Sequence, residues 1–572
     1  MMFDLKWWQK AVFYQIYPRS FADANSDGIG DLEGIIQRLD YLQDLGVDAL
    51  WLSPHYPSPL VDCGYDVADY TAVAPEYGDL ATFQRFVDEA HRREMRVILD
   101  LVLNHTSDQH PWFIESRSGR DNPRRDWYIW RDGRAGGPPN NWYSTFGGPA
   151  WSYDPHTGQY YYHFFFREQP DLNWRNPAVK QAMFQAMRFW LDRGVDGFRL
   201  DAVGTIFEEP GWPDHPATIT QAELGRLWRD ATTEAERKIA QAEWETMFKH
   251  QVEQPGIHEL MQELRALVDA YGDRVLVGES EQIAYHGDGD NELHLVFNFP
   301  LMNSARLTPA AIRANQQARL AELPPAAWPC NTLGNHDSSR MYNRYGDGRH
   351  DAALARLHLA LLLTLRGTPF LYNGEEIGMT DLYLTDRSHF RDSVAHWTYE
   401  AAVGEWGMTA AEALALAAEA SRDRCRTPMQ WANAPNAGFS PAGVTTWLPV
   451  NPNYAQGVNV AEQAADPDSL LNTYRRLLRL RQETPALVTG DYTPLCEEAE
   501  EYLIYLRHSP ADNQTCLVAL NFSDRRQEVT LDLGGRRLRP LFASHAHTQG
   551  EEGAVRLPLA PFAVYVGEVG QD

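Results

Sequence analysis

Eight times along this chain of 572 residues, a short and almost uninterrupted apolar run gives way to a helical stretch with one apolar face. The runs lie at 11–17, 49–53, 96–104, 197–203, 274–279, 295–299, 330–334 and 369–373. Strands that are apolar on both faces need cover on both faces, which a parallel sheet flanked by helices supplies. Eight such units in series predict an α/β fold in which the sheet closes as a TIM-type (β/α)₈ barrel. Two connections are too long for simple loops: residues 105–173, rich in Trp, Tyr, Pro and Gly, and residues 205–272, charged and helical in pattern. A third excursion covers 377–455. The last part carries short alternating runs at 502–506, 515–521, 527–531, 554–557 and 563–566, the pattern of an antiparallel β-sandwich. The expected division is a barrel from 1–104 and 174–480, a small inserted domain at 105–173 and a C-terminal β-sandwich domain at 481–572.

Charge removes several functions. With 51 Lys and Arg against 78 Asp and Glu, the net charge is −27, and such a field repels phosphate backbones and anionic lipid. No nucleic acid and no membrane is expected as a partner; the longest apolar stretch, 357–365, is too short to span a bilayer. The opening Met-Met-Phe-Asp-Leu-Lys-Trp-Trp lacks the basic and apolar regions of a leader peptide. Five scattered Cys without a C-x-x-C pair fit a reduced, cytoplasmic setting.

In a barrel of this kind, chemistry gathers where strands end. The third strand runs Asp100-Leu-Val-Leu-Asn104-His105, and the fourth ends Gly197-Phe-Arg199-Leu-Asp201. The fifth ends Gly278-Glu279-Ser280 and the seventh runs into Asn335-His336-Asp337. Carboxylates, histidines and an arginine thus converge on one rim. Crowded like charges raise carboxyl pKa values, the condition under which one carboxyl keeps a proton to donate.

These segments, DLVLNH, GFRLDAV, GES and NHD, resemble in order and placement the four short conserved regions of the alpha-amylase superfamily, glycoside hydrolase family 13. YQIYPRSF, QPDLNW (169–174) and RTPMQW (426–431) are similar to its alpha-glucosidase and oligo-1,6-glucosidase branch. The resemblance implies Asp201 as nucleophile, Glu279 as acid and then base, and Asp337 as the carboxylate that holds the sugar hydroxyls and stabilises the transition state. It implies Arg199 as the charge partner that keeps Asp201 ionised, His105 and His336 as hydroxyl-binding histidines, and Tyr65 as a platform under the first glucose. Asp62 and Arg426 would pair and close the pocket around a terminal glucose. Phe146 and Phe165 would flank the first two sugar subsites. The implied activity is that of an exo-acting, retaining alpha-glucosidase on small oligosaccharides or disaccharides. The alternative is transfer of the same glucosyl group, as in a transglucosidase, sucrose isomerase or trehalose synthase. Ala202, where alpha-1,6-preferring members of the branch carry Val, implies alpha-1,4 preference. Gly204 departs from the branch, which often has Asn there. Segment 205–272 roofs the pocket, sets the acceptor subsite or mediates oligomer contacts, and the oligomeric state stays open.

One further loop has a pattern of its own. Asp23, Asn25, Asp27 and Asp31 occupy the first, third, fifth and ninth positions of a stretch whose seventh residue, Ile29, offers a carbonyl. Gly28 permits the sharp turn, although position twelve is Gly34 instead of a Glu. The spacing predicts a structural site for a hard divalent cation, Ca²⁺, with Mg²⁺ as the alternative.

Overall fold

The computed structural model describes residues 5–304, 306–404, 406–545 and 555–570. Eight parallel strands form the barrel: β1 (Phe13–Ile16), β2 (Ala49–Leu52), β3 (Arg96–Val102), β4 (Gly197–Asp201), β5 (Val275–Gly278), β6 (Leu295–Val296), β7 (Cys330–Thr332) and β8 (Thr368–Tyr372). The hydrogen-bonded order is β7-β8-β1-β2-β3-β4-β5-β6. Side chains span the remaining seam: Cys330 Sγ donates to the Val296 carbonyl at 3.3 Å and Asn298 Nδ2 to Asn331 Oδ1 at 3.0 Å. The sixth strand is shorter than the run 295–299 predicts. Asn298 caps a helical turn at Phe299–Met302, and Pro300, which has no N–H for a ladder, fits that first turn.

The alternation of each strand sorts two kinds of residue. One set, including Tyr14, Ile16, Leu50, Leu52, Val97 and Leu99, packs outward under the helices. The inward set begins as a dry plug of Phe13, Ala49, Trp51, Ile98, Val275, Val277, Leu295 and Phe370. Further along the same inward faces stand Gln15, Asp100, Arg199 and Asp201, all buried. The barrel is therefore apolar at its floor and charged at its carboxyl rim.

Three excursions surround that rim. Between β3 and β4, strands Trp130–Arg131, Gln159–Tyr162 and Trp151–Asp154 form an antiparallel sheet with Gln159–Tyr162 in the middle. After β4, helices Gln221–Asp230 and Glu234–Phe248 pack on this inserted unit through Leu224, Met247 and Phe248 against Trp142, Trp151 and Tyr162. After β8, an alanine-rich pair, Ser393–Gly404 and Ala410–Ala420, completes the wall. The two following arms meet at one turn. Gln221 Nε2 donates to the Ser144 carbonyl at 2.5 Å, its Oε1 accepts from Gly148 N at 2.9 Å, and Trp397 lies so close to Gly147 that a Cβ there would sit 2.3 Å from its ring.

The C-terminal part is a five-stranded antiparallel sheet of Asp491–Leu495, Tyr502–Ser509, Gln514–Asn521, Val564–Val569 and Leu538–Ala543, faced by the pair Gln527–Leu531 and Val555–Leu559. Of the expected run at 554–557, Ala554 lies outside the described residues, as do residues 1–4, where the leader was sought. No helix among the described residues is long and apolar enough to cross a membrane.

Candidate active site

At the rim, β3 and β4 run in register, Asp100 beside Arg199 and Val102 beside Asp201, so alternation turns all three ionisable side chains inward. Arg199 organises them. Its Nη1 donates to Asp100 at 2.7 Å and to Asp201 at 2.6 Å, and its Nη2 contacts Glu279 at 2.8 Å. One cation thus serves three carboxyls. Burial raises the pKa of Asp201 well above the usual range; the charge of Arg199 opposes this, and the charges of Glu279 and Asp100 add to the rise. Burial likewise pushes Asp100 up to about 6. Arg199 thus pairs with Asp201, but it shares its charge with Asp100 and Glu279, and burial works against the ionised form of Asp201.

Asp337 has the opposite surroundings. Burial pushes its pKa up, but neighbouring positive charges outweigh that and hold it below the ordinary carboxylate range. His336, beside it, is itself kept neutral by burial, its pKa pushed down to about 3, so the cations responsible are Arg426 and Arg422. His336 is fixed by a directional chain. Gln15 Nε2 donates to Nδ1 at 2.7 Å, which leaves the proton on Nε2 to face the Tyr65 hydroxyl at 2.5 Å. That hydroxyl in turn donates to Asp100 at 3.0 Å. The Tyr65 ring stacks on His336 with centroids 5.4 Å apart.

The closing pair is corrected by the structure. Arg426 donates to Asp337 and to the His336 carbonyl, not to Asp62. The partner of Asp62 is Arg422, at 2.6 Å, which also bonds Asp392 at 2.7 Å and approaches Asp337 at 3.7 Å. Arg422 opens the 3-10 turn Arg422–Cys425, which Ser421 caps, and Arg426 follows it, so the two stand about one helical turn apart and between them serve three carboxylates. Gln169 Nε2 completes this end by donating to Asp62 at 3.0 Å and meeting His105 Nε2 at 2.9 Å. Phe165 lies edge-on to His105 at 5.1 Å, Phe146 is 5.5 Å from Phe165, and the Arg422 guanidinium is 5.7 Å from the Phe146 ring.

Ala202 is not the continuation of a strand. β4 ends at Asp201, and Ala202 takes φ 42° and ψ 48°, in the left-handed region, with its N–H donating to Glu279 Oε2 at 2.9 Å. It lines a cavity of about 720 Å³ that also opens on Glu279. The rim therefore unites Asp62, Tyr65, His105, Phe146, Phe165, Arg199, Asp201, Ala202, Glu279, His336, Asp337 and Arg426. Sequence reasoning passed over Asp100, Gln15, Gln169, Asp392 and Arg422. Asp100 and Gln169 stood inside motifs already read; Arg422 lies four residues before RTPMQW, outside every motif.

The loop at 23–31 lies elsewhere. Asp23 accepts from Ser26 N and Gly28 N, Asp27 from Ile29 N, and Asp31 from Ala24, Asn25 and Gly34 N, with Asn25 Oδ1 accepting from Asp27 N. Among the described residues, no three His, Cys, Asp or Glu side chains gather in a metal-holding group.

This (β/α)₈ barrel with its carboxyl-rich rim is that of a glycoside hydrolase. The alpha amylase catalytic-domain profile matches residues 15–490, and the chain belongs to the alpha-amylase family, in its alpha-glucosidase branch. An oligo-1,6-glucosidase of Parageobacillus thermoglucosidasius is 40% identical over 536 residues, 91% of each chain. An alpha-glucosidase of Pediococcus pentosaceus is 40% identical over 533 residues, 90% of this chain and 91% of that one. The crystal structure of the trehalulose synthase of Pseudomonas mesoacidophila MX-45 matches with a TM-score of 0.87 and 38% identity, covering 99% of this chain and all of that one.

Proposed function

We propose that the enzyme is an exo-acting, retaining alpha-glucosidase that releases glucose from small alpha-linked saccharides. The observation that carries the reading is the Arg199 fork, which brings Asp201 and Glu279 onto one guanidinium. Carboxyls that close suit a double displacement, because an inverting pair must leave room for a water between them. Asp201 attacks the anomeric carbon as the carboxylate while Glu279, as the acid, gives a proton to the departing oxygen. A covalent glucosyl ester results. Glu279, now a base, takes a proton from water, and the hydroxide displaces Asp201 and regenerates the carboxylate. Asp337, kept anionic by two arginines, accepts hydroxyl hydrogens of the distorted ring. The Asp62–Arg422 pair, backed by Gln169, closes the far end and restricts the site to a terminal glucose. The test is incubation with a slow fluoro-glucosyl substrate: a single fluoroglucosyl adduct on the peptide containing Asp201 is expected, and label elsewhere or none sinks the reading.

The finer points belong to the same proposal. Ala202 borders the leaving-group side, and its methyl leaves room for an alpha-1,4-linked sugar, so maltose is expected to exceed isomaltose in kcat/KM. A β-branched residue there would add strain at a positive φ. Transfer, the second reading, is supported by the similarity to trehalulose synthase; product analysis on sucrose separates hydrolysis from isomerisation. The hard oxygen donors at Asp23, Asn25, Asp27, Ile29 and Asp31 suit Ca²⁺ in a structural role. A chelator should then lower Tm by several degrees, reversed by Ca²⁺, with no change in kcat for the folded fraction. Five free cysteines support a reduced, cytoplasmic location.

A further inference from the structure

The cavity that opens on Glu279 does not end at the reacting bond. Besides Ala202 and Glu279 it is lined by Trp228 and Trp244, one from each helix of the arm after β4. On the first helix the apolar stripe begins at Leu224, which is buried, and reaches Trp228 one turn later, which is 41% exposed. On the second helix, Met247 and Phe248 are buried and Trp244, one turn earlier, is half-buried against Phe248 at 5.0 Å between centroids. Both stripes thus start in the core shared with the inserted unit and run out into open space, each ending in an indole. Leaving Trp open costs apolar burial unless something flat covers it.

What covers it is set by the surrounding polar groups. Gln241, Glu245 and Lys249 of the same arm also line the cavity, as do Glu253 and Glu281. Carboxylates outnumber the single lysine, so an anion is disfavoured, while amide, ammonium and carboxylate groups beside indole faces are the donors and acceptors a neutral sugar uses. The volume, about 720 Å³, lies in the range of sites that enclose a whole small ligand and exceeds what one leaving sugar fills.

We propose that Trp228 and Trp244 form an outer acceptor-side site for a second neutral sugar, one unit beyond the sugar released at Glu279. The site rests on the glucosidase reading above and makes the arm after β4 the determinant of leaving-group length.

The test compares substrates that differ only beyond the scissile bond. Maltotriose reaches the outer site, and alpha-glucosyl fluoride, whose leaving group is one atom, cannot. For Trp228→Ala and Trp244→Ala, the ratio of kcat/KM on maltotriose to that on alpha-glucosyl fluoride should fall by roughly tenfold, mainly through KM for maltotriose. Tyr at either position should restore most of the ratio, because a ring remains. A ratio that stays within about twofold of wild type in both Ala variants overturns the proposal, including the case in which both substrates slow together through a damaged fold. If wild type does not turn over alpha-glucosyl fluoride at all, the glucosidase reading itself fails and takes this site with it.

Discussion

Buried arginines do opposite work at the two ends of the barrel. Arg199, at the rim, is surrounded by three carboxyls. Arg481 and Arg507, where the barrel meets the C-terminal sheet, bond backbone carbonyls: Arg481 those of Leu363, Leu487 and Gly367, and Arg507 those of Gly490 and Thr364. Burial lowers the pKa of every one of them. At the seam it wins, bringing Arg481 to about 10 and Arg507 to about 9. At the rim the carboxyls win, and Arg199 is raised well above its ordinary value. The seam satisfies dipoles and welds two domains. The rim assembles more negative charge than its cation can neutralise, and that excess is the stored chemistry.

The sharpest way to test the contrast is to change one charge at each end. Asp201→Asn removes the nucleophile and one of the three competing carboxyls. Turnover should fall by roughly 10⁴-fold or more, while Tm, followed by calorimetry, holds or rises. A variant that is both inactive and unfolded would erase the distinction. Arg507→Met should do the reverse: each carbonyl left without a donor costs about 1–3 kcal/mol, so Tm drops by several degrees while kcat/KM for the folded enzyme stays near wild type.

Within the rim, the comparison narrows to two arginines. Asp62→Ala and Arg422→Ala should each raise KM for maltose by roughly ten- to a hundredfold, and the double variant should be little worse than either single one. Asp62→Ala combined with Arg426→Ala should be closer to additive, since Arg426 serves Asp337. Strong coupling in the second cycle and none in the first would restore the pairing expected from sequence.

The smallest effect is in pH. Burial opposes ionisation of Asp392, but Arg422 prevails and brings its pKa down to about 2. Its contribution to stability is therefore present above its unfolded value and lost as pH falls through about 4 towards 2. Asp100, raised to about 6, has the opposite sign: its contribution is present at low pH and lost as pH climbs from about 4 through 6. Tm against pH should lose part of its acid slope in Asp392→Asn and, separately, part of its slope between about 4 and 6 in Asp100→Asn.

The barrel was legible because periodicity is local: apolar strands and one-faced helices announce themselves within a dozen residues. Asp201, Glu279 and Asp337 were legible because strand ends in such a barrel must point at one another. The partner of Asp62 was not. Arg422 and Arg426 belong to one short turn, carry the same charge and reach the same pocket, so only side-chain geometry assigns them. The left-handed backbone of Ala202 was hidden for a related reason: the apolar run continues to Val203, and no residue type marks that β4 stops at Asp201. The arm after β4 was visible as charged helix, but its apolar stripe is split between two helices, and neither half is strong by itself.

The Asp62–Arg422 bond joins residues 360 positions apart. That separation has a meaning in time. A ribosome adding about 5–20 residues each second delivers Arg422 roughly 20–70 s after Asp62. The carboxyl cluster, complete once residue 279 has emerged, is thus made well before the cations that close the glucose end and hold Asp337. A nascent chain carries its chemical groups early and its pocket late, and cannot grip a terminal sugar until three quarters of it has been synthesised.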